Sequence, residues 1–280
     1  MAIVFALLGS ATLGAGDFVG GASSRDAPPL WVATLGQSVA LVLAVPVALV
    51  DGSGHVTRTA AVWSLLGGAV AAVGLGFFYS SMSRGLISLV VPLTSVVGAA
   101  VPVAYGLGRG ERPGNLALAG IGLALVAVAV VSAIPGDGHR VAAAPIVFAL
   151  AAGACFGVGL VCFSRVGENA GLWPVALSRT TTSLVGLGIA LALSAPAARE
   201  ASLRTLWRAG AVIGIFEVTG NAFLFLAFER GSVAVVSVLI SLYPVTTVLL
   251  ATMLLGERLS RVQLAGVALA LGSVALISSG

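Results

Sequence analysis

Lysine is absent from the 280 residues, histidine and cysteine occur twice each, and charged residues of every kind make up only 9% of the chain. A soluble domain carries roughly 25% charged residues, so a chain of this length has too few charges to cover a water-facing surface. Fourteen arginines against ten acidic residues leave a formal charge of +4, but they are spread singly and form no run. The basic balance therefore reads as arginine in the loops of a membrane protein, and nucleic acid is not expected as a partner. Cys155 and Cys162 stand seven apart in one apolar stretch, about 10 Å along a helix axis and too far to bridge. His55 and His139 fall in loops without ligand partners nearby. No His-Glu-x-x-His, no CxxC and no Gly-Lys-Ser/Thr phosphate cradle occurs, so no metal and no cofactor are expected. A basic n-region is also lacking before the first apolar stretch, which reads as a retained span and not as a cleaved leader.

Hydrophobic residues account for 59% of the chain. A membrane-crossing helix needs about 20 predominantly apolar residues, and runs of that kind lie at 3–22, 30–50, 61–82, 86–108, 115–134, 143–164, 173–194, 208–228, 232–254 and 262–279. Breakers and charges sit between them, as in Arg25-Asp26-Ala27-Pro28-Pro29 and Glu111-Arg112-Pro113-Gly114. The cluster Pro135-Gly136-Asp137-Gly138-His139-Arg140 marks the seam between two halves, 1–138 and 139–280.

Those halves are copies. Residues 77–133 lie on 223–279 without a gap at an offset of 146, matching Arg84-Gly85 with Arg230-Gly231, Gly110-Glu111-Arg112 with Gly256-Glu257-Arg258, and Leu118-Ala119-Gly120 with Leu264-Ala265-Gly266. Matched apolar residues arise by chance; matched Arg-Gly and Gly-Glu-Arg at one spacing do not. Toward the front, Phe5-Ala6-Leu7 recurs as Phe148-Ala149-Leu150. Five spans per copy is an odd number, so the second copy enters the bilayer inverted. The expected fold is an all-α integral membrane protein of ten transmembrane helices in two inverted five-helix repeats, the commonest plan of a secondary transporter. Trp31, Trp63, Trp173 and Trp207 all stand near the starts of spans and pair across the halves, as anchors at both headgroup boundaries would.

The ten spans, the duplicated Gly-Glu-Arg turn before the last span of each copy, and Leu242-Tyr243-Pro244-Val245-Thr246-Thr247 running into Leu255-Gly256-Glu257-Arg258 resemble the EamA domains of the drug/metabolite transporter superfamily. Ala227-Phe228-Glu229-Arg230-Gly231 fits the short charged turn of that family, and Gly16-Asp17-Phe18-Val19-Gly20-Gly21 is similar to the opening helix of one bacterial subgroup. The resemblance covers nearly the whole chain and implies transport of small organic solutes, with both termini in the cytoplasm. One departure is that Gly98 stands where the second copy has Pro244, with Pro92 and Pro102 flanking it.

A charged side chain at bilayer depth costs roughly 2.5–3.5 kcal/mol on insertion scales and marks function by default. Glu217 is near the middle of span eight with Asn221 one turn away, Arg179 is in span seven, and Asp17 is in the last third of span one. Glu217 either exchanges a proton or pairs with Arg179. Arg179 aligns with Gln37 at an offset of 142 and either holds a substrate carboxylate in two parallel bonds or serves a structural pair. Asp17 either titrates or caps a helix ending before Gly20-Gly21. Tyr243 is a candidate cavity wall, and Pro92, Pro102 and Pro244 are candidate helix breaks or gates. Phe77, Phe78, Tyr79, Phe223 and Phe225 either pack helices or line an aromatic pocket.

The expected function is export of amino acids or related metabolites by alternating access, with proton coupling as an option and no enzymatic activity. The alternative is efflux of lipophilic cations; more distant are an intramembrane enzyme and a non-transporting membrane partner. The expected partners are a small-molecule solute, the lipid bilayer and, as a candidate, a second copy in a homodimer. The absence of lysine beside abundant Ala, Gly, Val and Arg suggests a high-GC bacterial source, and the expected location is the bacterial inner (plasma) membrane. Arginine counts conflict on orientation: loops after odd-numbered spans lead eight to five overall, but the first half leans three to two the other way.

Overall fold

Backbone N–H and C=O groups in lipid must find partners within their own segment, so long apolar runs become helices. The computed structural model describes residues 1–52, 55–110, 114–132, 143–167, 170–228, 230, 239 and 242–279. The elements among them are α1 (Ala2–Asp26), α2 (Pro29–Asp51), α3 (Arg58–Met82), α4 (Ile87–Gly108), α5 (Asn115–Ser132), α6 (Ala143–Ser164), α7 (Trp173–Glu200), α8 (Leu203–Phe228), α9 (Tyr243–Leu254) and α10 (Arg261–Ser279). Among the described residues six segments are long and apolar enough to cross a membrane: Ala2–Asp26, Pro29–Val50, Arg58–Met82, Ile87–Gly108, Ala143–Ser164 and Trp173–Ser194. The seam at 135–140, the Glu111-Arg112-Pro113 turn and most of 229–241 lie outside the described residues.

Local chemistry sets several ends. Pro29 opens α2, a position where its missing N–H costs nothing. The Thr57 hydroxyl caps α3 by accepting from the Ala60 N–H at 3.1 Å. Pro244 stands in the first turn of α9; of the ninth apolar run before Leu242, only Leu239 is among the described residues. Pro92 and Pro102 lie within α4, which runs through both as one helix. In α7 the backbone leaves helical geometry at Ser194 (φ −141°, ψ 20°), and the Ser194 carbonyl accepts from the Trp31 indole at 3.2 Å.

The helix pairings respect an exchange of helix n with helix n+5: α1–α8 matches α3–α6, α2–α8 matches α3–α7, and α4–α6 matches α1–α9. Apolar lipid tails give no hydrophobic drive for these contacts, so small residues and interhelical hydroxyl bonds hold them. At the α3–α7 crossing a Cβ on Gly68 would run into the Ser178 carbonyl, and the Thr182 hydroxyl donates to the Gly68 carbonyl at 2.9 Å. The Thr247 hydroxyl donates to the Gly14 carbonyl at 2.8 Å, and the Ser81 hydroxyl to the Pro145 carbonyl at 2.6 Å.

The main buried cluster is lopsided. Ala27, Val32, Met82, Ile87, Leu89, Ala149, Leu206 and Ala251 belong to it, and all lie toward the end of the bundle where α1, α3 and α9 finish and α2, α4, α6 and α8 begin. That end is densely packed; the space lies toward the other one.

Candidate functional site

A cavity of about 430 Å³ occupies the middle of the bundle, lined by residues of α1, α2, α3, α6, α7, α8 and α9. Its wall runs from Asp17, Tyr79 and Tyr243 at the packed end to Val175 and Phe163 near the opposite end. Every polar residue singled out from the sequence as a binding candidate, namely Asp17, Gln37, Arg179, Glu217, Asn221 and Tyr243, borders this cavity.

Four of them form one network. Arg179 Nη2 donates to Glu217 Oε2 at 2.7 Å, and Arg179 Nη1 donates to Gln37 Oε1. The Gln37 amide donates to Glu217 Oε1 at 3.4 Å. Asn221 Nδ2 donates to the Glu217 carbonyl at 2.7 Å and approaches Oε2 at 3.4 Å. A carboxylate with a guanidinium and two amides around it is well satisfied inside the bundle, and its charge is cancelled by Arg179. Helix α7 supplies the cation, α8 the anion and α2 the bridging amide, so the network ties both halves together.

Asp17 is different. It sits nine residues before the end of α1, which runs on to Asp26, so it does not cap a helix end. Gly20 and Gly21 are contact points, not terminators: a Cβ on Gly21 would meet Met82 Sδ at 2.7 Å, and one on Gly20 would strike the Tyr79 ring. Among the described residues no hydrogen bond or ion pair engages the Asp17 carboxylate. Nearby, the Tyr243 hydroxyl and Ser95 Oγ share a hydrogen bond of 2.6 Å. The three ionisable residues of opposite charge on the wall, Asp17, Glu217 and Arg179, therefore sum to one negative charge when ionised, and it resides on Asp17.

Of the aromatic candidates, Phe78 and Tyr79 line the cavity. Phe77 packs against Phe148 with ring centroids 5.6 Å apart, and Phe223 stacks on Phe5 at 6.3 Å. The Phe225 side chain lies outside the described residues. Pro92, Pro102 and Pro244 do not line the cavity.

Glu257 is the polar residue whose role the sequence did not expose. Its side chain is 3% exposed. Oε1 accepts from Arg25 and from the Ile87 N–H at 3.1 Å, while Oε2 accepts from the Ser88 N–H at 3.0 Å and the Ser88 hydroxyl at 2.6 Å. The carboxylate thus satisfies orphan donors at the start of α4 and clasps the last turn of α1 from the α9–α10 turn. It closes the packed end by joining the second half to the first. The signal available was the duplicated Gly-Glu-Arg itself; its partners, 169 to 232 positions away in sequence, were not legible.

No curated protein matches the sequence significantly. A solved crystal structure that is 18% identical superposes with a TM-score of 0.62, over 99% of this chain and 95% of its own; at that identity it speaks for the fold alone. The EamA-like transporter family matches residues 1–133 and again residues 143–279. With one match per half, on a helical bundle built around a central cavity bordered by a charged network, the chain belongs to the EamA-like transporter family.

Proposed function

We propose that the chain is a secondary transporter that exports a small organic solute carrying a protonated amine, exchanged for a proton, by rocking of two inverted five-helix halves across the bacterial inner membrane. The observation that carries this reading is the Asp17 carboxylate, which borders the cavity without a cation while the other intramembrane acid, Glu217, is held by Arg179. An unneutralised carboxylate at this depth is costly. A proton or an ammonium group relieves that cost equally well, and two ligands that compete for one group are coupled without further machinery. Amino acids and lipophilic amines both offer the ammonium. A substrate carboxylate would have to share Arg179 with Glu217 and Gln37, so the amine is the feature the site selects.

Alternating access then has a structural counterpart at each end. The cavity extends as far as Phe163 and Val175 toward the end where α1 and α3 begin, and the Glu257 clasp joins the two halves at the other. With both termini cytoplasmic, as the charges of the first half favour, the open end faces the cytoplasm and is ready to load an exported solute.

A singly charged amine exchanged for one proton moves no net charge, so proton flux, read with a pH-sensitive dye trapped in proteoliposomes, tests the reading. Amine-bearing solutes, amino acids included, should drive Asp17-dependent proton movement above that of protein-free liposomes, and Asp17→Asn should abolish it while the protein still folds. Wild-type proton flux from Asp17→Asn, or flux driven by organic anions alone, would refute it.

A further inference from the structure

At the packed end of the central cavity two hydroxyl oxygens stand beside Asp17 with acceptor capacity that the protein does not use. The first belongs to Tyr79, which borders the cavity and is 1% exposed. Among the described residues no hydrogen bond engages its hydroxyl. Glycine sets its position: a Cβ at Gly20 would overlap Tyr79 Oη and Cζ, so only a bare backbone lets the phenol lie across α1. Gly20 follows Asp17 by three residues, and helical positions three apart share a face with their Cβ atoms about 5–6 Å apart. The Tyr79 hydroxyl therefore stands about one helical turn from Asp17, within range of its charge. The second oxygen is that of Tyr243. Ser95 Oγ donates to the Val91 carbonyl at 2.9 Å and shares the 2.6 Å bond with the Tyr243 hydroxyl. A serine hydroxyl has a single proton. With that proton on Val91, Tyr243 is the donor to Ser95, and Tyr243 Oη keeps its lone pairs for the cavity. It too lies within range of the Asp17 charge.

We propose that Tyr79 and Tyr243 are specificity-determining residues which, together with Asp17, receive the N–H donors of a primary ammonium group. The proposal rests on the amine reading above and narrows it to amines with free N–H groups. Asp17 supplies the charge, which any monovalent cation balances. The two phenol oxygens supply direction, and an N–H donor is what answers it. A primary ammonium brings three donors to three acceptor groups, one each from α1, α3 and α9. A quaternary ammonium balances Asp17 but sets methyl groups against both oxygens and leaves their acceptor capacity unmet. Gly20 then serves recognition as well as packing, because it seats the Tyr79 hydroxyl beside the acid.

Benzylamine and its N-methyl, N,N-dimethyl and N,N,N-trimethyl derivatives are the probes. All four are monocations at neutral pH, while the number of N–H donors falls from three to none. Isothermal titration calorimetry on the purified protein in detergent reads their Kd values. A hydrogen bond to a charged group changes affinity about tenfold or more, so benzylamine should bind about tenfold or more tightly than the trimethylated ion. Tyr79→Phe should weaken benzylamine about tenfold and leave the trimethylated ion within about twofold, and Tyr243→Phe should do the same. A Tyr79→Phe protein that keeps the wild-type affinity for benzylamine, or that weakens both probes alike, would overturn the proposal and leave the amine reading intact. Should the variants not fold, the wild-type series decides: affinity that falls with each lost N–H supports the proposal, and equal affinity across the four probes overturns it. Binding of none of the four would instead sink the amine reading, and the proposal with it.

Discussion

Removing the Glu257 carboxylate should unlatch one end of the molecule. In Glu257→Ala the Ile87 and Ser88 N–H groups, the Ser88 hydroxyl and the Arg25 guanidinium lose a common acceptor whose side chain is 3% exposed. An orphaned buried donor costs about 1–3 kcal/mol, and taking one partner from a buried ion pair about 3–5 kcal/mol. These losses overlap, and Arg25 is 32% exposed, so water replaces part of its bond. A net cost of about 3 kcal/mol is the working figure. It falls on the state with this end closed, because in the open state water reaches the same donors. The open-to-closed ratio should therefore rise roughly a hundredfold, at about 1.4 kcal/mol per factor of ten. The assay uses a protein freed of Cys155 and Cys162, with one reporter cysteine at Ala27, a buried position at the packed end. The rate of labelling by a membrane-impermeant maleimide then follows the open population. Glu257→Ala should react up to a hundredfold faster than the parent, Glu257→Gln less so, and Arg25→Gln least, since the carboxylate keeps its three Ile87 and Ser88 donors. A folded Glu257→Ala protein that labels within twofold of its parent would refute the latch.

Three further outcomes follow from the same geometry. Arg179→Gln and Glu217→Gln should each lower unfolding stability by about 2–3 kcal/mol, and the double variant by less than their sum, because each single change strands a charge at bilayer depth; additive costs in a double-mutant cycle would contradict the pairing. Gly68→Ala should cost about 1–3 kcal/mol by pushing α3 off the Ser178 carbonyl. Gly188→Ala, where an added Cβ meets nothing within 4 Å, should instead gain up to about 1 kcal/mol of helix propensity; chemical denaturation in detergent reads both. Tyr243→Phe should cost about 1 kcal/mol through loss of the Ser95 bond, measured by the shift in thermal midpoint.

The lopsided burial gives the alternating-access proposal its physical content. One end holds both the apolar cluster and the Glu257 clasp, and the other opens onto the polar network. Rocking the halves would have to break the four Glu257 bonds, and a bound solute can drive that only through contacts that differ between the two states.

Much of the helical layout is legible in the residues alone. Apolar length dictates helices in lipid, which is why the run at 143–164 coincides with α6 (Ala143–Ser164), and the run at 86–108 ends where α4 (Ile87–Gly108) does. The duplicated Gly-Glu-Arg and Arg-Gly landmarks were legible because charged turns are rare in such a chain. Glycine misleads where it has two uses. Gly20-Gly21 reads as a helix end along the chain, but α1 continues to Asp26, and only the presence of Tyr79 and Met82 shows the pair to be a contact surface. The same limit applies to charge. Composition singles out Asp17, Arg179, Glu217 and Gln37 as costly at depth, since that cost depends on residue type and position. Which acid is neutralised and which is left facing the cavity is a matter of helix rotation and crossing, as is the reach of Glu257 to the start of α4. Those distances join residues up to 180 positions apart, and only the packing of the helices sets them.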